Sequence, residues 1–211
     1  MTAFAGLVVW ILTAGAAGCS SSSPSAPSPL IPTGPGGYRL VSDASRDQLP
    51  EKSVTEVTPA DPSLTKAALD RYGFTGASSR IWKATTGDFL LDLAVRFDRP
   101  AAARSFASFE LTQIADRVQD VAPNASLGQS GVSPFKAIPG ASLYLLGGPN
   151  RQTVKPLFIE GVVFSSGTTT YLVETGGSLP ITAAVVERYA RLQASLIGDG
   201  GNVEGRTPDG K

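Results

Sequence analysis

The sequence predicts an α+β domain: a mainly antiparallel sheet packed against helices, built from two β-β-α units plus a short N-terminal helix. Three observations predict it. Phe89, Leu91, Leu93, Val95 and Phe97 alternate as a strand with one buried face, after the Gly turn of ATTGDFLLDLAVRF. FSSGTTTYLVET repeats that arrangement, with Thr169, Tyr171, Val173 and Thr175 in the matching places. Each hairpin is then followed by an apolar stripe at helical spacing. Ala103, Ala107, Leu111, Ile114 and Val118 form the first, and Ile181, Val185, Tyr189, Leu192 and Leu196 the second.

The elements follow in order along 211 residues. Residues 1–18 read as a signal peptide. Ala3 to Gly18 carries no charge and is shorter than the roughly 20 apolar residues that a membrane-spanning helix needs. It ends in small residues, Ala14 to Gly18, as a cleavage region does. Residues 19–37 read as a tether headed by Cys19, the single cysteine. Ser20 to Gly37 is uncharged and dominated by Ser, Pro, Gly and Ala, so it is expected to be disordered and to reach on the order of 50 Å. The globular domain is assigned to residues 38–198, and a disordered polar tail to 199–211. Within the domain, DPSLTKAALDRYGF is a short helix with Asp61 as its cap, Pro62 opening it and Gly73 closing it in the left-handed conformation. KAIPGASLYLL and PLFIEGVVF supply further strands. Asp98 and Ser178 are candidate caps of the two longer helices, with Pro100 and Pro180 in their first turns. Leu146 to Asn150, LGGPN, reads as a turn.

Composition narrows the chemistry. Lys plus Arg and Asp plus Glu balance at 18 each, which leaves no basic excess for nucleic acid. There is no histidine, so Ser-His-Asp and Cys-His catalysis and the usual zinc ligand sets are excluded. No cofactor or metal is expected, and no catalytic residue is assigned. Polar residues on the strands remain. Asp92 and Arg96 share a strand face opposite Leu91 and Leu93. Glu160 shares a face with Phe158 and Val162, and Glu174 shares one with Leu172. Gathered on one side of the sheet, these groups would form a ligand face, and an ordinary solvated face or a salt-bridged seam reads equally well. Arg80 and Trp82, in SRIWKA, fall on one face of their strand. Trp82 fits either a stacking surface for a sugar or lipid headgroup or a core position with its N–H satisfied. Phe109 lies off the main stripe of its helix, either under the hairpin or in a contact patch.

Ala16-Ala17-Gly18-Cys19 resembles the lipobox of bacterial lipoproteins. The resemblance implies that Cys19 carries a thioether-linked diacylglycerol and becomes the first residue after cleavage. A buried thiol in a core helix is the alternative role for Cys19. The tether resembles the O-mannosylated linkers of actinobacterial lipoproteins. The order of YGF, RIWKA, a hairpin, FDRPAAARSF, IPGA and YARLQASL is similar to that of mycobacterial-type cell-envelope lipoproteins, some of which have a PsbP-like α/β sandwich. These resemblances imply a protein on the outer face of the cytoplasmic membrane. The expected function is a lipid-anchored binding or adaptor domain, whose partner is an envelope protein, a glycan or a lipid. The alternatives are a cell-wall hydrolase using Asp92 with Glu174 or Glu160, and an envelope lipid carrier.

Overall fold

The computed structural model describes residues 29–44, 49–58, 61–121, 131–149, 156–177 and 183–198. Cys19, the tail, Ser178, Pro180 and Ile181 lie outside them, as does the side chain of Val118. The strands are β1 (Tyr38–Asp43), β2 (Phe74–Ala84), β3 (Phe89–Phe97), β4 (Gly131–Pro134), β5 (Ser142–Pro149), β6 (Pro156–Ser166) and β7 (Thr169–Gly177). The helices are α1 (Glu51–Val57), α2 (Pro62–Tyr72), α3 (Pro100–Val121) and α4 (Ala183–Gly198). The strands form one sheet in the order β1-β2-β3-β7-β6-β5-β4, with every neighbouring pair antiparallel. The α+β architecture and its antiparallel sheet are those the sequence predicts.

The two hairpins, β2-β3 and β6-β7, lie side by side through their second strands. β3 pairs with β7 over eight residues, Leu93 opposite Leu172 at the centre. The helices that follow them cover opposite faces. Leu91, Leu93, Val95 and Phe97 pack with α3 through Ala103, Phe106, Ala107 and Ile114, and α1 and α2 extend that layer with Val54 and Leu69. Trp82, Leu90, Ala94, Val162 and Val173 pack with α4 through Val186, Tyr189 and Ala190. The central strands are therefore buried on both sides, and every residue of β7 is buried. Strands covered twice lose the clean in-out alternation of a one-sided sheet.

Local signals explain α2 well. The Asp61 carboxylate accepts from the backbone N–H groups of Ser63 and Leu64 at 2.8 and 3.3 Å. Gly73 ends the helix at φ 74°, its N–H donating to the Leu69 carbonyl. At α3 the expected cap is displaced by one residue. Pro100 opens the helix, but the Arg99 carbonyl accepts from Ala103 N–H, and the Asp98 carboxylate pairs with the Arg99 guanidinium at 3.4 Å.

Both helical stripes are rotated slightly from the sequence reading. On α3, Phe106 and Glu110 are buried while Leu111 is only half-buried. On α4, Val186, Ala190 and Gln193 are buried while Val185 and Leu192 are half-buried. An apolar pattern passes over Glu110 and Gln193 because they are polar, although both face inward. LGGPN is no turn up to Pro149. Gly147, Gly148 and Pro149 continue β5 opposite Phe158, Leu157 and Pro156.

The largest difference lies at the N-terminal boundary. The sequence places the start of the folded unit at Tyr38, yet Leu30 and Ile31 are 4% and 0% exposed, inside the α4-side core. The tether expected to run freely to Gly37 is docked from Pro29 onward. Gly34 lies so close to the Trp82 indole that a Cβ there would overlap the ring. The composition of the tract as a whole conceals two aliphatic side chains sufficient to hold it down.

Candidate functional site: buried carboxylates on opposite faces

The register fixes where each candidate residue falls. Arg80 pairs with Asp92 across β2 and β3, and Trp82 pairs with Leu90. Arg80, Trp82, Asp92, Arg96 and Glu160 all belong to the α4 face. Glu174 does not, because Leu91 opposite it in β3 and Leu172 two residues away both pack on the α3 side. The single polar face thus splits in two, and Asp92 and Glu174 cannot converge on one substrate.

On the α4 face the centre is Asp92, with no exposed surface. Its Oδ2 accepts from the backbone N–H of Ile31 at 2.6 Å. Arg80 Nη1 donates to the Ile31 carbonyl at 2.9 Å, and Arg80 Nε approaches the Asp43 carboxylate at 3.4 Å. From α4, Gln193 Nε2 donates to the Pro29 carbonyl at 2.5 Å. Burial pushes the Asp92 carboxyl up to about 7 from 3.8, against the downward pull of the Ile31 N–H and the Arg80 charge. Asp92 Oδ1 and Gln193 Oε1 are buried with no hydrogen-bond partner among the described residues. Trp82 is a core residue, 3% exposed, with Gly34 against its ring. Arg96 is half-buried four residues further along β3.

Glu160 is buried on the same face but on β6, with β7 between it and β3. It lies opposite Thr175, which in turn lies opposite Leu90. Two strand spacings and a two-residue offset separate its backbone from that of Asp92 by roughly 12 Å. Burial raises its carboxyl, and the Glu187 charge on α4 raises it further.

On the α3 face, Glu174 accepts a hydrogen bond from the Tyr144 hydroxyl. The Tyr144 ring lies over Gly161, where a Cβ would collide with it. Burial raises the Tyr144 hydroxyl well above its ordinary range, and the charges of Glu174 and Glu110 add to the shift. A small space under α3 is lined by Thr58, Phe106, Glu110, Thr170 and Leu172, with room for about one water molecule. An open groove runs outside α3 along Tyr72, Arg104 and Phe109. Phe109 is half-buried there, its ring 6.1 Å from that of Phe106.

Sequence reasoning found Asp92, Arg80 and Trp82, which the structure brings together, but missed their partners. Leu30 and Ile31 carried a signal: they are adjacent aliphatic residues inside a Ser/Pro/Gly/Ala tract. Glu110 carried one too, standing three residues after Ala107 and four before Ile114 on the inward stripe. Nothing local marks Tyr144 or Gln193. Among the described residues, no group of three or more Cys, Asp or Glu could hold a metal ion, and no helix is long and apolar enough to cross a membrane.

No family model matches the chain, and no curated protein matches it by sequence. The crystal structure of the extracellular domain of PknH from Mycobacterium tuberculosis is similar, with a TM-score of 0.42 and 11% sequence identity. The match covers 78% of this chain and 80% of that one.

Proposed function

We propose that this chain is a lipid-anchored binding domain of the bacterial cell envelope, held at the outer face of the cytoplasmic membrane by a diacylglycerol on Cys19. The observation that carries the reading is the lipobox-like AAGC that ends at Cys19. Pro29, whose carbonyl accepts from Gln193 on the α4 face, follows that cysteine by ten residues. Even at full extension, ten residues span no more than about 35 Å. The domain therefore works close to the bilayer, with two acyl chains giving far more durable attachment than one. A hydrolytic pairing of Asp92 with Glu174 has no geometric basis, since the sheet lies between them. The space under α3, with room for about one water molecule, does not take the acyl chain that a lipid carrier would hold between sheet and helix. The test is mass spectrometry of the N-terminal peptide together with membrane fractionation of wild type and Cys19→Ala. Acylated Cys19 and release of the variant support the proposal. An unmodified cysteine, or a variant that stays with the membrane, overturns it.

A further inference from the structure

The docked segment Pro29–Gly37 behaves as a ligand does. Residues 29–31 and 33–35 belong to no helix or strand, and no strand ladder partners the backbone of residues 29–31. Three side chains from three elements do so instead. Asp92 of β3 takes the Ile31 N–H, Arg80 of β2 reaches the Ile31 carbonyl, and Gln193 of α4 reaches the Pro29 carbonyl. All three contacts are to main chain. Side-chain selection comes from the apolar positions of Leu30 and Ile31 and from the face of Trp82, which accepts only a glycine at position 34. The link to β1 is a tight turn, in which Tyr38 N–H donates to the Pro35 carbonyl at 3.0 Å and Gly37 has φ 83°. Gly36 and Gly37 are exposed, and a Cβ on either would touch nothing.

We propose that the α4 face carries a groove for an extended peptide with two successive aliphatic residues followed by glycine three positions on, and that residues 29–35 are its exchangeable occupant in cis. The strap holds its place through the high effective concentration of a short linker. A segment of the same pattern displaces it when that advantage is removed or outcompeted. Displacement releases the nine residues 29–37, adding roughly 28 Å to the span the chain can reach between Cys19 and Tyr38. This gives the binding reading above a site and a ligand class. Its test uses purified protein and no membrane, so either proposal can fail alone.

The experiment inserts a specific protease site between Gly36 and Gly37 of the full chain and cleaves it. The probe is a fluorescein-labelled synthetic peptide of residues 28–37. Before cleavage the peptide should not bind, because the strap occupies the groove. After cleavage it should bind saturably while the far-ultraviolet circular dichroism stays native. A peptide carrying Ile31→Asp should bind at least tenfold more weakly, since it brings a carboxylate against Asp92. Gln193→Ala in the cleaved chain should weaken binding several-fold. Loss of the native spectrum on cleavage would make the strap an inseparable part of the core and overturn the proposal. So would a native spectrum without uptake of the peptide, or equal binding of the Ile31→Asp peptide.

Discussion

The two faces of the sheet are closed by different kinds of chain. On the α3 side a 22-residue helix lies across the strands, with α1 and α2 beside it. Its backbone hydrogen bonds are internal, so the covering chain brings few unpaired main-chain groups to a face that nonetheless buries Glu110, Tyr144 and Glu174. On the α4 side a 16-residue helix covers only part of the surface, and the strap covers the rest. A strap outside the sheet brings N–H and C=O groups into the core that must find partners. Asp92, Arg80 and Gln193 meet that requirement. Their burial follows from what closes the face, and it leaves Asp92 Oδ1 and Gln193 Oε1 without partners among the described residues. The comparison separates a face covered by helices, whose main chain is satisfied within itself, from one covered in part by a strap whose main chain is satisfied by side chains.

The largest expected effect lies on the first face. Phe106→Ala should cost about 3–5 kcal/mol in urea unfolding, because the ring is fully buried against Phe97 at 5.1 Å. Leu111→Ala, at the half-buried edge of the same helix, should cost clearly less. Equal losses would mean that α3 is rotated from the arrangement described.

The second face should respond to pH. Asp92 titrates near 3.8 when unfolded and near 7 when folded, so the folded state holds its proton more tightly. Its contribution is fully present below about pH 4 and is lost as pH rises through 7, by on the order of 4 kcal/mol at most. The raised Glu160 carboxyl acts in the same direction. Asp92→Asn keeps an acceptor for Ile31 N–H and removes the titration. Urea midpoints at pH 5 and pH 8 should therefore converge in the variant relative to wild type. An unchanged slope would show that Asp92 is not desolvated as the strap implies.

Ile31→Ala should act locally. Loss of about 2 kcal/mol of docking corresponds to roughly thirtyfold faster amide exchange in residues 30–38, with α3 amides unaffected. Equal acceleration on both faces would erase the distinction between them. Gly73→Ala should cost about 1–2 kcal/mol, from positive φ and from a Cβ placed 2.9 Å from the Asp98 carboxylate. Smallest of all, Leu64→Ala on the outer surface of α2, where Leu64 is 48% exposed, should fall within about 0.5 kcal/mol.

Local physics made much of this protein legible in its sequence. Period-two and helical patterns gave both hairpins and the helices after them. Asp61, Pro62 and Gly73 gave the limits of α2, since a cap, a fixed φ and a left-handed glycine act within a few residues. Asp92, Arg80 and Trp82 were visible as polar and aromatic residues sharing strand faces. The sequence also supplied Cys19 and its lipobox-like setting, on which the anchoring proposal rests. Only the tertiary structure decided that α3 and α4 cover opposite faces, because alternation does not say which side a later helix will cross. That choice separated Glu174 from Asp92 and buried both. It likewise decided the docking of Leu30 and Ile31. Two aliphatic residues in a Ser/Pro tract gain a site only when β2, β3 and α4, up to 164 positions away, come together to match their backbone.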